Sequence, residues 1–210
     1  AIAKSRADCI VNLIEWDGLD MALSLAAYAQ LEASHIPFTG SRLATLVAFS
    51  DKIKMKEALD VAGLPTPRWQ LFTTGTEPVR GDFHYPVIVK LAWEHCSVGL
   101  TRDAVIERSS ALPPLLQERI RVFSQPVYVE EFILGREFQV TVLSRSRGVA
   151  VLPPAEITFQ EKGNDAFLTY EGRWDEAHKD YALSGVALAK LTSALQQKLT
   201  RLGEETFTKL

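Results

Sequence analysis

The spacing of apolar and polar positions changes several times along the chain, which predicts a mixture of short helices and strands. Short apolar runs rich in β-branched residues predict strands, as does one run with strict alternation. We place these strands at 9–14, 68–72, 87–92, 127–133, 135–144 and 148–159. Apolar positions three and four residues apart predict helices at 19–33, 42–49, 51–62, 113–123 and 184–210. The polar and aromatic segment 160–182 predicts a long loop.

The order of these elements indicates a fold of the α/β (α+β) class. The first half alternates helices with single strands, whereas strands suited to antiparallel pairing dominate the second half. Ser50 is predicted to cap the helix 51–62, and Gly63, followed by prolines, is a typical helix stop. The order is not a uniform βαβ series, so a simple doubly wound sheet is not predicted for the whole chain.

Composition narrows the classes of function. The 210 residues are 47% hydrophobic, which is typical of a globular chain with one large domain or two small ones. The formal net charge of −3 argues against a general nucleic-acid binder, which is usually basic. No apolar run approaches the ~20 residues that span a bilayer, and residues 1–11 lack the apolar centre of a signal peptide. Cys9 and Cys96 form no CxxC pair, so we expect no zinc site and a reducing, cytoplasmic setting.

A lysine at the end of an apolar run is the first candidate for chemistry. Lys90 follows VIV and precedes LAWEHCSVGL. A buried, unpaired ammonium group is costly, so Lys90 must meet water, a carboxylate or a ligand anion. Ser97 offers a hydroxyl group, and Gly99 lets backbone amides approach an anion closely. The alternatives are a phosphate site and a lysine on an edge strand whose ammonium group reaches the solvent.

Three glutamates and two further lysines are the next candidates. Glu130 and Glu131 close one strand and are predicted to point to opposite faces, while Glu137 lies on the polar face of the next strand. Carboxylates in such places bind sugar hydroxyls, amino groups or metals, but for Glu131 a solvated position is the preferred interpretation. Lys52 and Lys56 lie one helical turn apart, which by itself is typical of a solvated face.

Segment 170–181 and Cys96 are weaker functional candidates when each is considered alone. The segment 170–181 holds charged residues around Trp174, and its length favours a lid over a simple turn, although a disordered loop is the alternative. Cys96 is disfavoured as a nucleophile, because only Glu94 and His95 lie beside it and adjacent residues seldom form a catalytic relay.

Taken in order, six segments resemble the ATP-grasp superfamily, specifically the D-alanine–D-alanine ligases and their relatives. They are HIPFTGS ahead of a helix that begins DK, then GLPTP, YPVIVKLAWEHCSVGL, VEEFILGREFQVTVL, LPPAEITF and YEGRWDE. The resemblance implies an ATP-grasp fold, in which two α+β subdomains sandwich ATP, preceded by part of a Rossmann-like N-terminal domain. The implied boundaries are 1–49 for the N-terminal part, 50–128 for the central subdomain and 129–210 for an incomplete C-terminal subdomain.

The resemblance also implies an ATP-dependent carboxylate–amine ligase that works through an acyl phosphate. Small amino-acid-like molecules are the implied substrates, and related ligases are commonly homodimers. Lys52 and Lys90 would be phosphate cations, and residues 96–99 would cover the phosphates. The full set of implied ATP-binding residues is Lys52, Lys90, Cys96, Ser97, Val98, Gly99, Glu130, Glu131, Phe132, Ile133 and Glu137.

Further roles follow from the matching motif positions. Adenine contacts are implied for Glu130 and for the backbone of residues 131–133, and a ribose contact is implied for Glu137. Arg173 takes the place of a lid lysine near the γ-phosphate, which keeps the charge but alters its geometry. Arg173 and Ser97 are the implied catalytic residues.

Three departures from the family pattern qualify these implications. Positions 96 and 174 are usually a serine and a tyrosine that hydrogen-bond across the site, whereas a thiol is a weak partner and an indole only donates. This favours a ligase for another amino acid or peptide. The magnesium ligands of the family, which include a Glu-x-Asn segment, are expected outside this chain, whose asparagines are Asn12 and Asn164. We therefore expect no turnover by the chain as given, and a non-catalytic ATP-binding protein or ligase fragment is the alternative.

Overall fold

The computed structural model describes residues 7–14 and 21–210. The chain divides into two compact units, 1–55 and 56–210. The helices of the described residues are α1 (Ala22–Ala33), α2 (Leu43–Phe49), α3 (Lys52–Val61), α4 (Leu112–Phe123), α5 (Tyr170–Trp174) and α6 (Ser193–Lys209). The strands are β1 (Trp69–Phe72), β2 (Val87–Leu91), β3 (Val105–Ile106), β4 (Val127–Glu131), β5 (Glu137–Gln139), β6 (Val142–Ser144), β7 (Val149–Val151), β8 (Ala155–Phe159) and β9 (Ser184–Leu188). This mixture of helices and antiparallel sheets confirms the predicted α/β (α+β) class.

The first unit holds α1, α2 and a short extended segment. Ile10 pairs with residues 37–39 through two backbone hydrogen bonds of 2.8 and 3.0 Å. The predicted buried strand at 9–14 is wrong, because Val11 and Leu13 are exposed and the described pairing is limited to this one bridge. A strand buries both faces only where neighbouring strands and helices cover them, and this segment has too few described neighbours for that.

The predicted helices of this region are confirmed, with changes at their ends. α1 begins at Ala22, and the predicted start at residue 19 lies outside the described residues. The predicted cap of α3 is wrong by one residue, since the carboxylate of Asp51, rather than Ser50, accepts the amide of Ile53 at 2.8 Å. Both residue types are good caps, so the sequence alone did not separate them.

A four-stranded antiparallel sheet of order β1-β4-β2-β3 forms the core of the second unit. Alternate residues of β2 and β4 point towards α4 and pack with it into one apolar cluster, whose members include Phe72, Val87, Val89, Leu91, Leu112, Leu116, Val127 and Val129. The opposite face of the same two strands carries Ile88 and Lys90 from β2 and Tyr128 and Glu130 from β4. The period of two therefore places a cation and a carboxylate on one face of a buried sheet.

The predicted strand at 135–144 is split in two. β5 pairs with β8 in a three-stranded sheet of order β5-β8-β9, whereas β6 pairs with β7 alone. Pro153 and Pro154 divide the predicted strand 148–159 into β7 and β8, because a proline has no amide hydrogen to offer the partner strand. The side chains of 135–144 keep alternating through the break, so periodicity could not reveal it.

The predicted helix at 184–210 is wrong at its start. Residues Ser184–Leu188 form the edge strand β9, and α6 begins only at Ser193, where the hydroxyl oxygen of Thr192 accepts the amide of Leu195 at 3.3 Å. α6 packs on β6 and β7 so closely that a Cβ at Gly203 would lie 3.3 Å from Val142 and 3.6 Å from Val151. Among the described residues, none of the helices combines the length and the apolar composition that crossing a bilayer requires.

Candidate functional site

Three charged side chains meet on the face of β2 and β4 that points away from α4. Oε1 of Glu130 accepts a hydrogen bond from Nζ of Lys90 at 2.6 Å, and Oε2 accepts one from Nζ of Lys56. Lys56 extends from α3 and also donates to the hydroxyl oxygen of Thr66 at 2.6 Å. We call Lys56, Glu130 and Lys90 the charge triad. Ile88 lies directly opposite Glu130 in the sheet, so Lys90 reaches the carboxylate as a diagonal neighbour.

The members of the charge triad differ in their access to solvent. The side chains of Lys56 and Glu130 are 5% and 8% exposed, whereas that of Lys90 is 30% exposed. Burial alone would raise the pKa of Glu130, but the positive charges of Lys90 and Lys56 outweigh burial and hold this pKa below its ordinary value. The carboxylate of Glu130 is therefore ionised at neutral pH.

Lys56 is the residue of this site that the sequence analysis missed. The spacing of Lys52 and Lys56 was assigned to a solvated face, but Lys56 is 4% exposed and is the buried residue of α3. One signal was present, because Lys56 precedes the apolar Leu59 by three residues and so shares its helix face. A lysine on the apolar face of a helix needs a buried carboxylate, and Glu130 is that partner.

The loop after β2 has backbone angles that residues other than glycine rarely adopt. The φ angles of Cys96 and Ser97 are 55° and 65°, and that of Gly99 is 74°. The amides of Val98 and Leu100 donate to carbonyl groups within the loop. In contrast, the amides of Ser97 and Gly99 and the hydroxyl group of Ser97 find no hydrogen-bond partner in the described part of the chain. The free amides belong to alternate residues, on either side of the bonded amide of Val98, and backbone amides left free in a turn are suited to an anion.

Gly99 also has a packing role that the sequence did not reveal. A Cβ at this position would lie 2.7 Å from Cδ1 of Leu91 and 3.2 Å from Cζ of Phe123, well inside ordinary contact distance. Leu91 belongs to the apolar cluster under the sheet, and Phe123 packs against it. The glycine therefore lets the loop lie directly on the core, which fixes the position of the neighbouring amides.

The short helix α5 brings the predicted lid residues onto this loop. Its N-terminus is capped by Thr169, whose hydroxyl oxygen accepts the amide of Gly172 at 3.0 Å. The indole N–H of Trp174 donates to the backbone carbonyl of Cys96 at 3.0 Å. An indole can only donate, and here it meets a main-chain acceptor rather than the thiol. The lid and the loop are thus joined even though the serine–tyrosine pair of the family pattern is absent at positions 96 and 174.

Arg173 of the same helix has an unpaired guanidinium nitrogen. Its Nε is buried and has no hydrogen-bond partner among residues 7–14 and 21–210. Buried donors are almost always paired in native proteins, so a donor without a protein partner is suited to a ligand. The side chain next to Trp174 therefore has one donor that no described protein group satisfies.

One arginine binds both ends of segment 161–180, which contains most of the predicted lid 170–181 and which we call the lid segment. Arg102 contacts the carboxylate of Glu161 at 2.6 Å and donates from Nε to Asp180 at 2.9 Å. It also donates to the backbone carbonyl of Asp165 at 2.5 Å, and its guanidinium carbon lies 5.5 Å from the ring centroid of Phe167. The lid segment is therefore closed into a ring whose two ends share a single guanidinium group.

The segment predicted to meet adenine is hydrogen-bonded to neighbouring parts of the chain. The amide of Glu131 donates to the carbonyl group of Arg68 at 3.0 Å. The amide of Phe132 donates to the carbonyl group of Pro86 at 2.9 Å. The side chain of Glu131 is only 14% exposed and accepts the amide of His84 at 2.9 Å, so the solvated position preferred for it is wrong. Glu130 and Glu131 do point to opposite faces, as predicted.

The remaining predicted site residues are distributed over other elements of the described structure. Lys52 lies at the start of α3 in the first unit, and Val98 belongs to the loop. Glu137 is exposed on β5, and no described side chain or backbone group bonds to its carboxylate. Ile133 is 66% exposed. Within the described ranges, no three His, Cys, Asp or Glu side chains form a group that could hold a metal ion.

The comparisons with known proteins agree on one family. The family model described as "D-ala D-ala ligase C-terminus" matches residues 59–210. A D-alanine–D-alanine ligase of Ectopseudomonas mendocina is 38% identical over 126 residues, which are 59% of this chain and 38% of that protein. The chain spans about two fifths to one half of the length of the curated relatives it matches.

Solved structures agree on the fold. The D-Ala:D-Ser ligase VanG from Enterococcus faecalis superimposes with a TM-score of 0.70 at 19% identity, over 98% of this chain and 57% of that chain. An L-amino acid ligase from Bacillus licheniformis gives a TM-score of 0.59 at 20% identity, over 88% of this chain and 39% of that chain. These likenesses confirm the ATP-grasp fold that the resemblance implied.

Proposed function

The chain belongs to the D-alanine–D-alanine ligase family, through the C-terminal domain of these enzymes, and we propose that it binds ATP for the ligation of a carboxylate to an amine. The observation that carries this proposal is the charge triad. Its solvent-facing member, Lys90, is held at the end of β2, and the loop with free amides begins a few residues later. An ammonium group followed by free amides is suited to a polyphosphate.

The proposed reaction needs a cation-rich, closed site for a simple chemical reason. A carboxylate resists attack by an amine because it is negatively charged and resonance-stabilised. Transfer of the γ-phosphoryl group to one carboxylate oxygen gives an acyl phosphate, and the amine then attacks its carbonyl carbon and expels phosphate. Positive charges stabilise the phosphoryl transfer, and exclusion of water protects the acyl phosphate from hydrolysis.

The residues of the chain divide these tasks in the proposal. Lys90 neutralises the phosphates, and the loop 96–99 covers them with its amides and the hydroxyl group of Ser97. A phosphate contact of Lys52 stays an implication of the family resemblance. Arg173 supplies charge near the γ-phosphate from the lid, and the bond from Trp174 to the loop excludes water.

Nucleoside recognition would fall to the segment that follows β4. Glu130 has unused lone pairs beside its two lysines, and it would accept from the amino group of adenine together with the backbone of residues 131–133. Glu137 would accept from the ribose hydroxyl groups, since its carboxylate bonds to no described protein group. For magnesium we assign no ligand within the described residues and route no step through it.

A second candidate is a ligase for an amino acid or peptide other than D-alanine. The Trp174 bond to a main-chain acceptor favours it, because the serine–tyrosine pair of the family pattern is replaced. The structural neighbours include proteins named as D-Ala:D-Ser and L-amino acid ligases, which supports such a range of substrates within this fold.

Calorimetric titration with a non-hydrolysable ATP analogue tests the binding proposal. Lys90→Ala should weaken binding by about 1–3 kcal/mol, the usual value of a charged hydrogen bond. Lys198→Ala on the exposed surface of α6 is the matched control and should leave the affinity unchanged. Equal affinities of the two variants would contradict the phosphate role of Lys90.

Two further measurements separate the alternatives. Release of ADP in the presence of single amino acids or dipeptides would identify the substrate class, and binding without any release would favour a non-catalytic ATP-binding protein. Glu137→Gln should reduce the preference for ATP over 2′-deoxy-ATP. A loss of equal size for both nucleotides would contradict the ribose contact.

A further inference from the structure

The charge triad carries one positive charge more than its carboxylate compensates. Two ammonium groups, from Lys56 and Lys90, share the single carboxylate of Glu130, and each takes one of its oxygens. Among the described residues, no second carboxylate forms an ion pair with either lysine. Because Glu130 is ionised at neutral pH, the three groups together keep a net charge of +1.

This excess charge reaches the surface through only one of the two lysines. The side chain of Lys56 is 5% exposed, and its ammonium group is held between Glu130 and Thr66, which lies between two prolines. The side chain of Lys90 is 30% exposed, and one of its three N–H groups is used by Glu130. The other two N–H groups of Lys90 are therefore available to an anion that approaches from the solvent.

We propose that Lys56 is a positioning residue that neutralises Glu130 from the buried side and so leaves the charge of Lys90 to the phosphate groups of ATP. This inference rests on the proposed function. Without Lys56, Lys90 and Glu130 would form a neutral pair, and an approaching phosphate would meet repulsion from the carboxylate as well as attraction from the ammonium group. Lys56 would then touch no ligand atom and would still set the affinity for the phosphates.

The test compares ADP with adenosine, two probes that differ only in their phosphate groups. The measured quantity is the ratio of the dissociation constant of adenosine to that of ADP, obtained by direct and competitive calorimetric titration. This phosphate ratio cancels any change in the adenine contacts of Glu130. In Lys56→Met, which keeps an apolar stem in the same space, the ratio should fall about tenfold, as expected for the loss of one nearby charge.

A double variant separates the charge argument from a merely structural role. Lys56→Met combined with Glu130→Gln removes one charge of each sign, so Lys90 is again an uncompensated cation. The phosphate ratio should return to within about threefold of the unaltered protein, since the net charge is again +1. Glu130→Gln alone leaves two cations and should give a ratio equal to or above that of the unaltered protein.

Several outcomes would overturn the inference. A phosphate ratio that stays constant in Lys56→Met, or that fails to recover in the double variant, would assign Lys56 a structural role only. If Lys56→Met does not fold, the other two variants decide. A phosphate ratio in Glu130→Gln or in the double variant that is far below that of the unaltered protein would also assign Lys56 a structural role only. Failure of the unaltered protein to bind ADP or ATP would refute the proposed function itself, whereas ADP binding with a constant ratio refutes this inference alone.

Discussion

Replacement of Glu130 by glutamine should destabilise the folded chain, because it removes the only carboxylate that pairs with the buried Lys56 among the described residues. Glutamine has nearly the same shape, so the perturbation is the loss of one negative charge between two ammonium groups. Lys56 would then be a buried cation without a counter-ion, because its remaining described partners are the hydroxyl group of Thr66 and the ring of Tyr128, 6.0 Å away. Lys90 is affected less, since its side chain is 30% exposed.

The size of the effect follows from this difference in exposure. Removing one partner of a buried ion pair typically costs about 3–5 kcal/mol of unfolding free energy. The amide oxygen of glutamine still accepts one hydrogen bond and Lys90 can turn to the solvent, so we expect the lower end, about 3 kcal/mol. For a chain of this length, 1 kcal/mol lowers the melting temperature by about 2–4 °C, which gives a fall of about 6–12 °C.

Thermal unfolding followed by circular dichroism, with urea titration as a second measurement, provides the assay. Glu156→Gln is the matched control, because Glu156 forms a two-armed ion pair of 2.7 and 2.6 Å with Arg136, whose side chain is 45% exposed. Such a solvent-exposed surface pair contributes little to the stability of the folded chain. Glu130→Gln and Glu156→Gln with equal melting temperatures would refute the reasoning that the charge triad is a buried, coupled unit.

Three further predictions concern pH, the lid and the loop. The pKa of Glu130 is lowered in the folded state, so its stabilisation is complete above the unfolded pKa of about 4.3 and is lost as the pH falls through the folded value. The stability advantage of the unaltered protein over Glu130→Gln, measured by urea titration, should therefore shrink below about pH 4, and a constant advantage would contradict this. Trp174→Phe should speed proteolysis in the lid segment, because it removes the donor of the hydrogen bond to the loop. Cys96→Ala should not speed it, because only the backbone carbonyl group of Cys96 accepts that bond. Equal proteolysis rates in the two variants would contradict the main-chain link. Gly99→Ala should lower the melting temperature and weaken ATP binding, since its Cβ would clash at 2.7 Å with a leucine and φ is 74°, while the same change at Gly81, where nothing lies within 4 Å, should have little effect.

Local patterns made a large part of the fold and site predictable. Lys90 was suspect because a charge interrupts an apolar strand, and Glu130 because two adjacent carboxylates in a strand must point to opposite faces. Both inferences depend on residues close together in sequence, and the 2.6 Å contact between these side chains is consistent with them. The loop was recognisable from its small residues for the same reason.

What escaped the sequence analysis depends on contacts between distant segments. Lys56 becomes a site residue only because Glu130, 74 positions later, faces the helix that carries it. β9 was merged with α6 because Val186 and Leu188 continue the leucine spacing of that helix, and the pairing of β9 with β8 is what separates them. In each case the deciding partner lies far along the chain, where periodicity carries no information.

The anchoring of segment 161–180 at Arg102 has a consequence for how this part of the chain can vary. Since one guanidinium group holds both ends, residues between the anchor points can be added without releasing either end. Closing a flexible loop costs only about 0.6 kcal/mol more for each doubling of its length. Residues 175–179 are mostly exposed and follow the last turn of α5, so they are the place where relatives of different lid length should differ. Relatives can therefore differ in the length of residues 175–179 while Trp174 keeps its position over the loop 96–99.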